Sequence, residues 1–492
     1  MADRLSPLDV SFLYLEEPTT AMHVGSVMIF EPGEQGFDHA RLVRLVASRI
    51  AFVPRYRQRI RWVPGRLANP VWVDDEHFDI GYHVRRSALP RPGSHAQLEE
   101  LVARLQSRRL DRSRPLWEVT LVEGLAQGRF ALVTKVHQAL VDGINAVDLG
   151  QVVLDDTARS AEPPPQTWHP AAEPSLVELV AAAVADSVRR PTRIMETLAA
   201  GIGDVRVSAT KAAEALGGLA TAARTAAKPT PRSPLNRDIT EHRRYRMVAT
   251  DLGDYRRIRN LSGTDRPRRR RIGSSKPSPH PAQPPRDRVV TSVNDVVLAV
   301  LSGALRMWLL GRGESVAPGS VIRALVPMSV RADDPAVAGA IGSRVASLLI
   351  DLPTGEPSPI MRLHQVSYQT KAHRDAGQGV DATALAGIAG FAPPTLHSLG
   401  TRVASGLSRR LFNLVVTNVP GPQQPLYLAG HRMLSTYPVI PLARGQALSV
   451  GLTSYDGGVY YGLNGDRDAM SDLDVFAQCL VDALAEMSEA VR

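Results

Sequence analysis

Two stretches of this chain alternate short runs rich in β-branched and aliphatic residues with longer runs whose apolar positions recur at helical spacing. A proline- and alanine-rich segment lies between them. Such alternation requires helices to pack on sheets, so each stretch is expected to be a mixed α/β unit. In the first, residues 22–30, 119–123 and 130–136 read as strands, with a turn at Ala126-Gln127-Gly128. Asp38 is placed to cap a helix through Leu42, Leu45, Val46 and Ile50, and Leu98, Leu101, Val102 and Leu105 mark another. In the second, a helix is expected from residue 292 through Leu298, Leu301, Leu305 and Leu309, with strands at 321–327, 345–351, 414–417 and 447–454. Asp456-Gly457 between apolar runs predicts a hairpin. Ser471 with Asp474 predicts a capping box for a last helix through Met487, in which Cys479 is a small core residue.

The expected division is an N-terminal half at 1–160, a linker at 161–243 and a C-terminal half at 244–492. Glu162-Pro163-Pro164-Pro165 opens the linker, and Lys228-Pro229-Thr230-Pro231 closes it. Between them, residues 175–227 have helical character. Leu176, Leu179, Val180, Ala183 and Val184 form one apolar stripe, read as a docking face, with a membrane anchor as the alternative.

The formal net charge of +9 is concentrated at residues 264–290, where eight basic and two acidic residues leave +6 among six prolines. This stretch cannot bury enough apolar surface to order itself and is expected to be a disordered insertion. Its functional alternative is a patch for anionic lipid headgroups. No aromatic residues interleave its charges, so no nucleic-acid partner is expected. One cysteine excludes an internal disulfide and a thiolate metal cluster. The N-terminus lacks a basic start followed by an apolar run, and no window holds about 18 uninterrupted apolar residues. The resulting expectation is a cytoplasmic protein.

One junction bears on chemistry. At His137-Gln138-Ala139-Leu140-Val141-Asp142-Gly143 a strand ends and a helix begins. Taken alone, Asp142 could be a helix cap, Gly143 a packing residue and His137 a satisfied core histidine. The segment also resembles the His-His-x-x-x-Asp-Gly signature shared by CoA-dependent acyltransferases and peptide-synthetase condensation domains. Other segments resemble the bacterial wax ester synthase/diacylglycerol acyltransferase family more specifically. They are Leu5-Ser6-Pro7-Leu8-Asp9 with Met22-His23-Val24-Gly25, Pro115-Leu116-Trp117-Glu118, Ser233-Pro234-Leu235-Asn236, Asn294-Asp295 and Asn418-Val419-Pro420-Gly421-Pro422. They follow the family's order and cover nearly the whole chain.

The resemblance implies two similar chloramphenicol-acetyltransferase-like α/β sandwich halves around a central tunnel, joined by a helical linker. It implies transfer of a long-chain acyl group from acyl-CoA, the co-substrate, to diacylglycerol in triacylglycerol synthesis or to a fatty alcohol in wax ester synthesis. No metal or other cofactor is required, and peripheral contact with an anionic membrane or lipid droplet is expected. A base must take the acceptor hydroxyl's proton, a task suited to histidine. In the family that base stands four positions before the aspartate. Here that position is Gln138, whose amide is no base near neutral pH. His137 matches the first histidine of the signature, Asp142 is implied as structural support, and Gly143 completes the motif. Trp117, Asn294, Asp295, Asn418, Pro420 and Gly421 are candidate channel or substrate contacts, each with a structural alternative: core aromatic, helix cap or shaped turn. Gly342-Ser343-Arg344 departs from the family's Gly-Asn-Arg. Because of Gln138, two functions stay open: an acyltransferase, or an impaired relative that binds acyl-CoA or neutral lipid.

Overall fold

The computed structural model describes residues 3–33, 36–141, 149–158, 168–189, 230–262, 291–330, 344–375, 380–381 and 411–492. The N-terminal part forms β1 (Asp3–Arg4), α1 (Pro7–Leu15), β2 (His23–Phe30), α2 (His39–Ile50), β3 (Gln58–Arg61), β4 (Val71–Asp74), α3 (Ile80–His83), β5 (Val84–Ala88), α4 (His95–Ser107), β6 (Trp117–Glu123), β7 (Phe130–His137), α5 (Gln138–Val141), α6 (Leu149–Val153) and α7 (Leu176–Arg189). The C-terminal part forms β8 (Arg243–Asp251), α8 (Leu252–Ser262), α9 (Val293–Gly311), β9 (Ile322–Val330), β10 (Arg344–Leu352), α10 (Pro359–Asp375), β11 (Val380–Asp381), β12 (Leu414–Pro420), β13 (Tyr427–Leu428), β14 (His431–Val439), β15 (Leu448–Tyr455), β16 (Gly458–Asp466) and α11 (Leu473–Ala490).

Helix starts follow local chemistry. Ser6 and Asp9 cap α1 reciprocally, so part of the family-like opening is a capping box with Pro7 in the first turn. Asp38 caps α2 as its sequence position predicts, and Ser94 with Gln97 caps α4. β7 is buried along its whole length. Its alternating faces serve two cores: Phe130, Leu132 and Val136 pack with Leu116 and Trp117, while Ala131 and Val133 pack toward Leu98 and Val102 of α4.

A six-stranded sheet in the order β13-β14-β2-β7-β6-β5 organises the N-terminal half, and a seven-stranded sheet in the order β11-β10-β9-β12-β15-β16-β8 the C-terminal half. The boundary is therefore not a clean cut at residue 243: β14 leaves the C-terminal half and pairs antiparallel with β2, from Met433 opposite Phe30 to Val439 opposite Gly25. Sequence alone gave no sign of this exchange, because strand partners are not encoded locally. Tyr245 from β8 locks the crossing by donating its hydroxyl to the Pro438 carbonyl at 2.9 Å. α9 has the length and hydropathy of a membrane-crossing helix, but it is mostly buried in the C-terminal core beside Leu363, Phe476 and Leu480.

The Asp456-Gly457 hairpin forms, with positive φ at both residues. The expected Ser471–Asp474 capping box does not. Asp472 is the N-cap of α11, and its carboxylate instead receives Arg312 Nε at 2.7 Å and Trp308 Nε1 at 3.0 Å. The helix thus starts one residue later than the expected Ser471 cap would place it, and a charge-assisted tertiary contact takes the side chain of the actual N-cap. In the linker, α7 docks Leu179 on Val71 and Val73, whereas Leu176 and Val177 are exposed. The rest of the helical stretch to residue 227 and the basic insertion at 264–290 lie outside the described residues.

Gly462 sits where the halves meet. A Cβ there would stand 1.7 Å from the Pro438 carbonyl oxygen and 2.5 Å from the Tyr245 hydroxyl. Gly462→Ala is therefore expected to cost about 2–3 kcal/mol and lower Tm by several degrees, since neither strand can yield freely. Gly311→Ala, where the added methyl meets nothing within 4 Å, is the control. Equal melting curves for the two variants would contradict this account of the seam.

Candidate active site

β2 and β7 pair antiparallel with His23 directly opposite His137, so two imidazoles sit side by side at the sheet end, their ring centres 6.0 Å apart. Glu16, the residue that ends α1, lies against both. Its Oε1 is 3.3 Å from His23 Nε2, and its Oε2 is 3.9 Å from His137 Nε2. Arg112 clamps the same carboxylate through Nε at 2.7 Å and also donates to the Leu13 carbonyl at 2.7 Å. All three central side chains are about 1% exposed.

Burial sets the protonation states. It holds His137 down to about 3 and His23 to about 4, so both imidazoles are neutral near pH 7. For Glu16 burial pushes upward. The close approach of His23, followed by the attraction of His137 and Arg112, outweighs it and brings the carboxyl to about 2. His137 Nδ1 accepts the Ala139 N–H at 3.0 Å, which assigns the ring proton to Nε2, facing Glu16. Both ring nitrogens thus face inward, toward the turn and toward Glu16.

Gln138 begins the helical turn α5. Its backbone N–H donates to the Met22 carbonyl at 2.9 Å. Its side chain is half-buried and makes no hydrogen bond among the described residues. The two neighbours therefore differ as strand alternation suggests: 137 is sealed in the interior and 138 is not. Asp142 and Gly143 lie outside the described residues, as do Gly342 and Ser343.

The other motif residues fall into two groups. Leu116 accepts the His137 N–H at 3.0 Å, so the Pro-Leu-Trp segment holds the same turn through its backbone. Trp117 itself is fully buried, donates Nε1 to the Tyr56 carbonyl at 2.7 Å and stacks on His83 at 4.6 Å. It occupies a core position, the structural alternative stated for it from sequence. In the C-terminal half, Asn418 donates to Asn294 Oδ1 at 3.0 Å, bringing two motifs together. Asp295 is engaged in the Ser292 capping box and receives the Thr370 hydroxyl at 2.7 Å. Pro420 is exposed at the end of β12. Gly421 is pressed on β15, where a Cβ would come within 2.5 Å of the Ser454 carbonyl oxygen. Sequence reasoning missed Glu16 and Arg112 altogether, and it quoted His23 only as part of a motif. The sole signal was the presence of a histidine and an acidic pair near an otherwise apolar strand.

Residues 5–265 match the family described as wax ester synthase/diacylglycerol acyltransferase catalytic domain, and residues 341–488 match the WS/DGAT C-terminal domain. The chain is 30% identical, over 99% of its length and 96% of the relative's, to the Mycobacterium tuberculosis (strain ATCC 25618 / H37Rv) protein named "Probable diacyglycerol O-acyltransferase tgs1". The chain belongs to the wax ester synthase/diacylglycerol acyltransferase family. A second relative from that strain, named "Probable diacyglycerol O-acyltransferase tgs3", is 43% identical over 260 residues, which are 53% of this WS/DGAT chain and 96% of the relative. The wax ester synthase/diacylglycerol acyltransferase from Marinobacter aquaeolei VT8 superposes with a TM-score of 0.67 at 28% identity, covering 99% of both chains. The EpoB cyclization-docking bidomain from Sorangium cellulosum, at 17% identity and a TM-score of 0.55 over 100% of this chain and 84% of its own, shares the fold alone. The two-half α/β architecture expected from sequence is thus the family's.

The buried histidines give the family member a pH signature. Burial lowers His83 as well, to about 4. An unfolded chain protonates these histidines near the ordinary value of 6.5, whereas the folded chain resists until about pH 3 to 4. Between those limits the unfolded state binds more protons, so stability falls as pH falls. Glu16, lowered to about 2, acts in the same direction below its ordinary 4.5. Thermal melts should show full stability above about pH 6.5 and a progressive loss toward pH 4. A Tm that rises on acidification across this window would refute the neutral, buried assignment.

Proposed function

We propose that this chain transfers a long-chain acyl group from acyl-CoA to the hydroxyl of diacylglycerol, and that long-chain alcohols serve as alternative acceptors. The observation that carries the reading is the likeness to tgs1 and to the Marinobacter enzyme along essentially the whole chain. In the reaction the acceptor oxygen bonds to the thioester carbon, the carbon–sulfur bond breaks, and the hydroxyl proton ends on the CoA thiolate. Gln138, at the position of the family's base, accepts a hydrogen bond from the acceptor hydroxyl and orients it, while water carries the proton. Losing a general base costs ~10²- to 10⁴-fold in rate, but orientation and electrostatic contributions persist, so the proposed activity is slow. The acceptor reaches the turn through the tunnel expected between the halves.

Gln138 favours a second reading, in which the chain binds acyl-CoA or neutral lipid without efficient turnover. His137 cannot take over as base, because its one acceptor nitrogen, Nδ1, is taken by the Ala139 N–H, and its protonated Nε2 faces Glu16 in the interior. In either case the basic segment 264–290 would hold the protein on an anionic membrane or droplet surface from the cytoplasmic side.

Thiol release from palmitoyl-CoA with dioleoylglycerol tests the first reading. Gln138→His is expected to raise the rate by ~10-fold or more. His137→Ala should chiefly lower Tm and yield. Palmitoyl-CoA binding without thiol release, in both the native protein and Gln138→His, would decide for the second reading. If His137→Ala abolished a robust native activity while remaining folded, the roles assigned to 137 and 138 would be wrong. Deleting residues 264–290 should leave Tm nearly unchanged and weaken binding to anionic vesicles at low salt. A large loss of Tm would show instead that the segment belongs to the folded core.

A further inference from the structure

The site contains a buried group that the proposed chemistry does not use. Glu16 is an ionised carboxylate enclosed by two neutral histidines, with Arg112 as its charged partner. Three polar atoms of this cluster, Glu16 Oε1, His23 Nδ1 and His137 Nε2, are buried without a hydrogen-bond partner. Unsatisfied atoms concentrated in one place, at cost to stability, call for a reason other than stability. A buried ion pair is also a poor stabiliser compared with apolar packing of similar volume. The cluster lies directly beneath the turn at 138. Glu16 faces His137, His137 Nδ1 holds the Ala139 N–H, and β2 supplies both His23 and the strand that follows the Met22 carbonyl bound by Gln138.

We propose that Glu16, clamped by Arg112, is a positioning residue for acyl transfer, acting through His137 on the turn that presents position 138. The negative charge of Glu16 favours the His137 tautomer with its proton on Nε2. Only that tautomer leaves Nδ1 free to accept the Ala139 N–H and fix the backbone immediately after 138. A ring of the other tautomer would set N–H against N–H and release the turn. The functional requirement is thus charge at residue 16 more than side-chain shape. This inference rests on the acyl-transfer reading for its rate effects but not for the state of His137.

The test compares Glu16→Gln, which keeps shape and loses charge, with Glu16→Asp, which keeps charge and shortens the side chain. Both are made in the native protein and in Gln138→His. The expected result is a roughly 10-fold or greater fall in kcat for Glu16→Gln with KM for palmitoyl-CoA little changed, and a smaller fall for Glu16→Asp. A purely structural role predicts the reverse order, because the isosteric glutamine would then be the better tolerated. That order, an unchanged kcat, or an effect confined to KM overturns the proposal. Nitrogen-15 NMR of histidine-labelled protein gives an activity-independent readout: His137 should be the Nε2–H tautomer in the native chain and a mixture in Glu16→Gln. If neither parent transfers an acyl group, the acyl-transfer reading fails while this spectrum still decides the state of His137, and an unchanged tautomer rejects the proposed mechanism. Arg112→Gln, at the partly exposed edge of the cluster, should move kcat and the tautomer in the same direction should the Glu16 variants not fold.

Discussion

β14 crosses from the C-terminal half to lie beside β2, and β2 in turn holds His23 opposite His137 on β7. The seam between the halves and the support of the candidate site therefore share one strand. β2 is hydrogen-bonded on both edges, by β14 and by β7, so it cannot shift along either without breaking a ladder. A one-residue slip would also exchange its buried and outward faces. This rigidity fixes the opening of the turn that begins at Gln138, whose N–H meets the Met22 carbonyl just before β2 starts. The glycines along the seam follow from the same closeness. Gly25 leaves no room for a side chain against the Thr134 carbonyl, and Gly462 none against that of Pro438.

The electrostatics of the cluster are understandable only as a set. Burial drives both histidines neutral and would drive Glu16 neutral too, were it alone. Arg112 reaches in from a partly exposed position and, with the close approach of His23, keeps the carboxylate charged. The result is a fixed negative charge within the sheet end, facing rings that do not carry a compensating positive charge near pH 7. Lys135, two residues before His137 on β7, bears on this balance from a distance: its charge lowers His23 further and is itself favoured by Glu16. Its ammonium is spent on the Leu105 carbonyl and that of Arg108, at the end of α4, and burial lowers it to about 8.

Local signals in the sequence were read well where the physics is local. The strand-forming character of residues 130–136, rich in Val, Leu and Thr, the Asp38 cap and the Asp456-Gly457 turn each determine their own backbone within a few residues. The failures have long-range causes. The expected Ser471–Asp474 box gives way to an N-cap at Asp472, whose side chain Arg312 and Trp308 hold, and β14 finds its partner in the other half of the chain. Of the site, the motif pattern located His137 and Gln138 at the end of a strand, and it joined Asn294 to Asn418 only as members of one family. It gave no indication of Glu16, which stands in an unpatterned Leu15-Glu16-Glu17 stretch and acquires meaning only when α1 is folded against β7.

The contacts that hold the turn also explain how position 138 can change chemistry without disturbing the fold. The His137 N–H goes to Leu116, the Gln138 N–H to Met22, and the Ala139 N–H to the His137 ring. None of the three uses the side chain at 138. Histidine and glutamine are similar in size, and each offers a donor and an acceptor, so either can occupy a half-buried site without leaving a large void or an orphaned group. Replacing His137 would be different in kind, since its ring is itself one of the three supports. Stability therefore constrains 137 closely and 138 hardly at all. The departure from the family pattern has occurred at the one residue of the pair where folding imposes least resistance, so the fold itself does not oppose it.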